Sequence, residues 1–302
     1  PAVASAVPAG PATAGGRPLG PAFLRLQVAE GVSAGNFVAL LFGSFFGIAM
    51  MGFINASQPY LFTEVLRVPA SEQGPLAGNL TFIAELVVLF AVSVVGALSD
   101  KVGRRPLWAG AFLVLAAGYA LYPLATTVGE LTAYRVVFAL GLAANTAMLP
   151  AVANDYAIDA SRGRVIAICF LLNGLGFILL LTPLRMLLPV FTAVAGGDAV
   201  LAARYWLWTA AGACLLVSAV LQLGLRPGAP AQLAPREPWL LALRVGLAAG
   251  RDLRVAFAYL SATVARGDMS VLSTFFVLYL TQAGIDAGLD TGAASGNALK
   301  FY

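Results

Sequence analysis

The chain has 302 residues, of which 60% are apolar and 11% charged, with a net charge of +4 and a mean hydropathy of +0.87. A water-soluble domain carries about a quarter charged residues, so this composition excludes an ordinary soluble fold and points to a chain whose solvent is lipid. The absence of histidine excludes a histidine proton relay or a histidine-ligated metal, and the scattered basic residues, with no interleaved aromatic stripe, argue against nucleic acid.

Residues 1–29 read as a disordered cytoplasmic tail, rich in Pro, Ala and Gly over residues 1–22 and lacking a signal peptide's apolar region and cleavage site. Seven apolar stretches then follow at 36–57, 77–98, 107–126, 131–152, 164–184, 203–225 and 255–281. Each has roughly the 20 residues that a helix needs to cross a bilayer. The first six form a transmembrane bundle over residues 30–225. Residues 226–254 carry Pro227, Pro230, Pro235 and Pro238, then Arg244, Arg251 and Arg254, and read as a cytoplasmic linker with a short surface helix. Residues 255–302 read as the first helix of a second, incomplete bundle. The two cysteines, Cys169 and Cys214, lie inside apolar runs and support neither a disulfide framework nor a zinc knuckle.

Lys and Arg close to span ends are retained on the cytoplasmic side. Arg17, Arg25, Lys101, Arg104, Arg105, Arg162, Arg164, Arg226, Arg236, Arg244, Arg251 and Arg254 share one side, against Arg67, Arg185, Arg204 and Lys300 on the other. The amino terminus is therefore expected in the cytoplasm, and the protein in the inner (cytoplasmic) or plasma membrane.

The segment Gly96-Ala97-Leu98-Ser99-Asp100-Lys101-Val102-Gly103-Arg104-Arg105-Pro106 puts four charges in a short turn between the second and third apolar runs. It resembles the loop between helices 2 and 3 of the major facilitator superfamily, G-x-L-x-D-R-x-G-R-R, with Gly96, Leu98, Asp100, Gly103, Arg104 and Arg105 matching and Lys101 replacing an arginine. The layout of six spans, a linker and a further span resembles that superfamily too, over residues 30–302. The resemblance implies an all-α polytopic membrane protein, a major-facilitator-type helical bundle with seven transmembrane helices in this sequence. It also implies a longer protein of about twelve spans, in two halves. From the same resemblance, Asp100 and Arg104 form a charge cluster with Asp155, the acid at the end of the fourth span, and this cluster helps to lock the outward-open state. On the residues alone, the three are equally accounted for as solvated loop charges, since exposed ion pairs are weak.

Glu85 lies well inside the second span, followed by Leu86-Val87-Val88-Leu89. An acid in hydrocarbon costs roughly 2–3 kcal/mol or more, so it faces a cavity, is paired or is protonated. Arg135, at similar depth on the fourth span, is its expected partner, and the two serve either coupling and substrate binding or a structural ion pair. Leu131-x-x-x-Arg135 with Gly141 resembles the helix 4 motif of proton-linked drug exporters, L-x-x-x-R-x-x-Q-G-x-G, with Phe138 and Ala139 in place of the Gln and first Gly. In the seventh span, Arg266 and Asp268 point about 200° apart on a helix, so each is expected to meet a partner elsewhere. Asp268 is a coupling site or part of a salt bridge inside the bundle. Asn145 and Asn173 are cavity-lining candidates or interhelical hydrogen-bonding groups, Asn55 and Gln58 mark the outer end of the first span, and Gly43 and Gly47 form a G-x-x-x-G packing face. In span 5, Asn173-Gly174-Leu175-Gly176-Phe177 followed by Pro183 departs from the antiporter pattern G-x-x-x-G-P-x-x-G-G.

No nucleotide-binding P-loop or nucleophile triad is present, so neither an ATP-driven pump nor an enzyme is expected, and no cofactor or metal is called for. The expected function is secondary active transport of a small solute by alternating access, coupled to protons, by a monomer whose partners are that solute, protons and the lipid bilayer. Coupling or substrate contact falls to Glu85, Arg135, Asp268, Arg266, Asn145 and Asn173; the cytoplasmic gate falls to Gly96, Asp100, Gly103, Arg104, Arg105 and Asp155. The competing class is a membrane receptor or scaffold that keeps the fold without moving solute.

Overall fold

Long apolar runs in hydrocarbon have no water to satisfy their peptide groups, so they fold as helices that bond internally. The computed structural model describes residues 17–19, 26–228, 244, 248–258, 260–261 and 275–298. Six helices long and apolar enough to cross a membrane run through it. They are α1 (Ala34–Tyr60, prolonged by a π-helical turn, Leu61–Val65), α2 (Ala70–Val102), α3 (Arg104–Leu121, closed by a 3-10 turn, Tyr122–Leu124), α4 (Val128–Tyr156), α5 (Arg162–Val194) and α6 (Ala199–Gly224). Three of them, α1, α4 and α6, start at a short polar side chain that caps the helix. Ser33 and Asn36 form a reciprocal capping box on α1, Thr127 accepts from the Glu130 N–H on α4, and Asp198 accepts from the Val200 and Leu201 N–H groups on α6.

Several helices outrun the expected spans. The apolar cores at 77–98 and 164–184 sit inside helices of 33 residues, because a helix does not stop where hydrocarbon ends but where a breaker or cap intervenes. Arg185 and Arg204, expected in loops, accordingly lie on α5 and α6. The charged loop over Gly96–Pro106 is corrected in the same way. Gly96, Asp100 and Lys101 all belong to α2, and the break is Gly103 alone, at φ 102°, ψ 158°, a conformation open only to glycine.

α1 packs against α5, α6 and α4; α2 packs against α4; α3 packs against α4 and α6. Exchanging α1 with α4, α2 with α5 and α3 with α6 turns the α1–α5 contact into the α2–α4 contact and the α1–α6 contact into the α3–α4 contact. Since each helix reverses direction, α4 runs opposite to α1. The contact pattern is thus the one that two inverted three-helix repeats give.

Glycines set the closest approaches. A Cβ on Gly176 of α5 would lie 1.7 Å from the Phe45 carbonyl oxygen of α1, and one on Gly141 of α4 would lie 2.8 Å from the Leu115 nitrogen of α3. The expected packing face of α1 is used on two sides, with Gly43 against Trp108 and Leu221 and Gly47 against Leu149, Asn145 and Asn173.

Outside the six helices, the residues expected as an unstructured tail include two short strands, β1 (Arg17–Leu19) and β2 (Leu26–Val28), paired antiparallel with Arg17 opposite Val28. The stretch expected as one seventh helix has helical backbone at 253–258, where Asp252 accepts from the Arg254 N–H, and again in α7 (Val277–Asp286). A turn at Gly288 then leads into a further helix, α8 (Thr291–Ala298). Among the described residues, the stretch expected as a single terminal helix over 255–302 therefore holds a further helix, α8, after α7, and the two pack as a hairpin against each other and against α1. Residues 1–16 of the tail, 229–243 of the linker and 262–274 of the seventh stretch lie outside the described residues.

Gly176→Ala forces the α1 and α5 backbones apart and is expected to cost about 1–3 kcal/mol. Gly174→Ala, where a Cβ meets nothing within 4 Å, is expected to be neutral or stabilising by up to about 1 kcal/mol, as Ala is the better helix former. Thermal unfolding of both variants in detergent checks the contrast.

Candidate functional site

At the end of the bundle where α2, α4 and α6 finish, the one-residue turn at Gly103 places Arg104 as the first residue of α3. One guanidinium then serves three partners. Its Nη1 is 3.0 Å from Asp100 Oδ1, its Nε donates to Asp155 Oδ2 at 2.9 Å, and Nη1 also donates to the buried Ser99 hydroxyl. Ser99 in turn donates to the Gly96 carbonyl at 2.7 Å, which ties the arginine to the α2 backbone. The expected trio of Asp100, Arg104 and Asp155 thus meets in space, although Asp155 is 51 residues from Arg104. Arg105 makes no ion pair among the described residues. Side-chain exposures of 21% for Arg104, 35% for Asp155 and 66% for Asp100 keep the pairs within reach of water, so each contributes about 0.2–1 kcal/mol.

A second polar level lies near mid-helix. Asn145 is ten residues before Asp155 on α4, about 15 Å along the axis. The buried Asn145 accepts from Trp108 Nε1–H at 2.7 Å and donates to Met51 Sδ at 2.9 Å. The protein itself thus engages both ends of this amide. Asn173, on α5 at a comparable depth, is buried with its Oδ1 lacking a hydrogen-bond partner among the described residues. Gly47 leaves the room for both amides, since a Cβ there would lie 3.4 Å from Asn173 Oδ1 and 3.5 Å from Asn145 Nδ2.

The third level is in the opposite half. Arg135, only 3% exposed, donates from Nη2 to Asn55 Oδ1 at 2.5 Å and lies 5.5 Å from the centroid of the Phe138 ring. Phe138 stands where the exporter motif has glutamine, and it offers the guanidinium an aromatic face in place of an amide, a contact that gains when desolvated. Gln58 donates to the Tyr122 hydroxyl at 3.3 Å beside this group. Asn55 and Gln58, expected at the outer end of the first span, are inside α1 because the helix continues to Val65. Glu85 is half-buried on α2, the helix that packs on α4. Arg266 and Asp268 lie outside the described residues.

Ser99, Trp108, Met51, Tyr122 and Phe138 are the partners that sequence reasoning missed. Of these, Ser99 and Phe138 carried a local signal, as residues inside or at departures from a recognised pattern. The rest are brought in from other helices.

Comparison with known proteins matches residues 40–299 to the family described as Major Facilitator Superfamily. Magnetosome protein MamH of Paramagnetospirillum magneticum strain AMB-1 is 28% identical over 240 residues, covering 77% of this chain and 53% of that protein. Magnetosome protein MamZ of the same organism is 24% identical over 288 residues, covering 89% and 43% respectively. The chain thus spans about half the length, or less, of these relatives. Among solved structures, the nucleoside transporter NupG superposes with a TM-score of 0.64 at 12% identity, covering 87% of this chain and 62% of that one. A D-xylose-proton symporter superposes with a TM-score of 0.57 at 16% identity, covering 88% and 64%.

Trp108→Phe keeps an aromatic side chain but removes the N–H donor to Asn145 and part of the buried ring volume, leaving a buried acceptor unsatisfied. The expected destabilisation is about 1–3 kcal/mol, read as a lowered thermal midpoint of the purified protein.

Proposed function

We propose that this chain, which belongs to the Major Facilitator Superfamily, is the N-terminal half and first part of the second half of a secondary transporter that moves a small solute by alternating access, coupled to protons. The single observation that carries the reading is the Arg104 bridge. One guanidinium links the end of α2, through Asp100, to the end of α4, through Asp155, in partly exposed positions where the contacts are cheap to break and remake. The excess of Lys and Arg at that end supports assigning it to the cytoplasm, with the protein in a cytoplasmic or plasma membrane. Its likeness to MamH and MamZ makes the magnetosome a further setting in which to look for the activity.

Within this reading, the six-helix bundle rocks against its counterpart around a midplane site. Asn173, whose Oδ1 has no hydrogen-bond partner among the described residues, is the acceptor assigned to the solute at that depth, while Asn145 holds α1, α3 and α4 together. Arg135 presents a buried positive charge held by Asn55, and Glu85 is the proton-exchanging carboxylate, because an acid kept in an apolar helix is retained at a cost of roughly 2–3.5 kcal/mol. Asp268, and Arg266 beside it, would carry the matching charge in the second half. Arg105, which makes no ion pair among the described residues, adds positive potential to the gate. A receptor or scaffold has less reason to keep such charges in hydrocarbon, which favours the transport reading.

The test is solute-dependent proton flux in proteoliposomes containing the full-length protein, followed with an entrapped pH-sensitive dye against a panel of sugars, nucleosides, carboxylates and metal ions. Wild type is expected to couple at least one solute to lumenal acidification, Glu85→Gln to abolish the proton signal, and Asp100→Asn to slow uptake without reducing membrane insertion. Coupled flux that persists in Glu85→Gln removes Glu85 from the mechanism, and wild-type uptake by Asp100→Asn removes the gate.

A further inference from the structure

Residues 26–32, just ahead of α1, do not hang free of the bundle. Val28 forms an antiparallel bridge with Ala157, and the Ala29 N–H donates to the Tyr156 carbonyl at 2.9 Å. The Ser161 hydroxyl donates to the Gln27 carbonyl. Leu26, Val28 and Val32 are buried against the bundle. A helix leaves its last four carbonyls without internal partners, and α4 ends at Tyr156, so the Ala29 N–H is part of the C-terminal cap of α4.

The same tyrosine reaches the exit of α6. Its hydroxyl accepts from the Arg226 backbone N–H at 2.8 Å, and the Arg226 guanidinium donates from Nη1 back to the Glu30 carbonyl at 2.9 Å. Gly31, at φ 78°, lets the chain turn there, and a Cβ in its place would lie 2.9 Å from the Arg226 guanidinium. Asn36, the second residue of the α1 capping box, donates to the Gly224 carbonyl at 2.7 Å. Three separate stretches, residues 26–36, the α4–α5 connection and the end of α6, are thereby closed into one clasp, and Asp155 is the residue immediately before its central tyrosine.

We propose that residues 26–32 are a strap that positions the gate carboxylate. By capping α4 at Tyr156 and gripping Arg226 where the chain leaves the bundle, the strap holds Asp155 opposite Arg104. Tyr156 and Arg226 are positioning residues for that ion pair, acting through Asp155. This rests on Asp155 and Arg104 forming the gate, and it adds that the gate is set by a segment ahead of the first membrane helix.

The test measures the separation of the α2 and α4 ends in the full-length protein in nanodiscs, with Cys169 and Cys214 replaced by Ala and spin labels on Val102→Cys and Asn154→Cys, both exposed positions. One short-distance population is expected in the parent and in Ala29→Gly, which keeps the N–H. Ala29→Pro, which removes the N–H, and Tyr156→Phe, which removes the acceptor for Arg226, are expected to lose it to a broader, longer population. Asp155→Asn is expected to do the same, and Ala29→Pro added to Asp155→Asn is expected to change nothing further, because the strap works through that carboxylate. Parent-like distances in Ala29→Pro and Tyr156→Phe, with a shifted Asp155→Asn, overturn the strap and leave the gate standing. Additive shifts in the double variant, or an Ala29→Gly that behaves like Ala29→Pro, also overturn it, as signs of a general structural effect. Parent-like distances in Asp155→Asn remove the gate reading itself, and the strap with it.

Discussion

Helices in a bilayer are not driven together by the hydrophobic effect, because lipid tails are as apolar as leucine; close packing and interhelical polar contacts must do it. That constraint governs this bundle from its centre outward. At Gly176 the α5 backbone comes so close to the Phe45 carbonyl of α1 that no side chain fits between them, and Gly141 does the same for α4 and α3. Once these pairs are in contact, the polar groups along α1 and α4 have no hydrocarbon left to face and meet one another instead. The small volume at Gly47 is what lets Asn145 and Asn173 sit beside α1 at mid-depth.

The inverted repeat makes the two ends of the bundle geometrically alike, and the sequence makes them chemically different. The α2–α3 connection is one glycine flanked by Asp100, Lys101, Arg104 and Arg105, while its counterpart between α5 and α6 contains Gly196 and Gly197 and spends its only acid, Asp198, on capping α6. One end is therefore held by ion pairs. Among the described residues, the α7–α8 hairpin packs against α1, and α8 also against α5.

Much of the framework was legible because it is written in local patterns: six apolar runs of spanning length, and a motif whose Asp100 and Arg104 are four residues apart. Asp155 was legible only through resemblance, since nothing local links it to a residue 51 positions away. The single-residue turn was hidden by the charges around it, which signal water and say nothing of where a helix stops. The conformation of Gly103 decides that. Asn55 as the partner of Arg135 was obscured because α1 continues through residues read as its end. Trp108 and Tyr156 were illegible for a different reason: a tryptophan or tyrosine in an apolar run looks like core, and only the fold shows which buried acceptor or backbone group its polar end meets. The short strands ahead of α1 owe their order to pairing with the end of α4, which no propensity scale registers.

The shallow burial of the Arg104–Asp155 pair fits the gating role proposed for it. An ion pair sealed in a dry interior costs about 3–5 kcal/mol to break, which would freeze a transporter in one state. A pair as exposed as Arg104 and Asp155 is worth at most about 1 kcal/mol, which is still roughly a fivefold bias between two conformations. Such a bias is effective only if the carboxylate is already in place when the guanidinium arrives, because the entropy of ordering a frayed helix end would consume it at about 1–2 kcal/mol per residue. Asp155 sits at the last turn of α4, where fraying is expected, yet Tyr156 beside it is fixed through its carbonyl by Ala29 and through its hydroxyl by Arg226. In the gate and strap proposed above, that ordering cost is met in advance by the packing of Leu26, Val28 and Val32, which leaves the full worth of a weak ion pair to bias the two conformations.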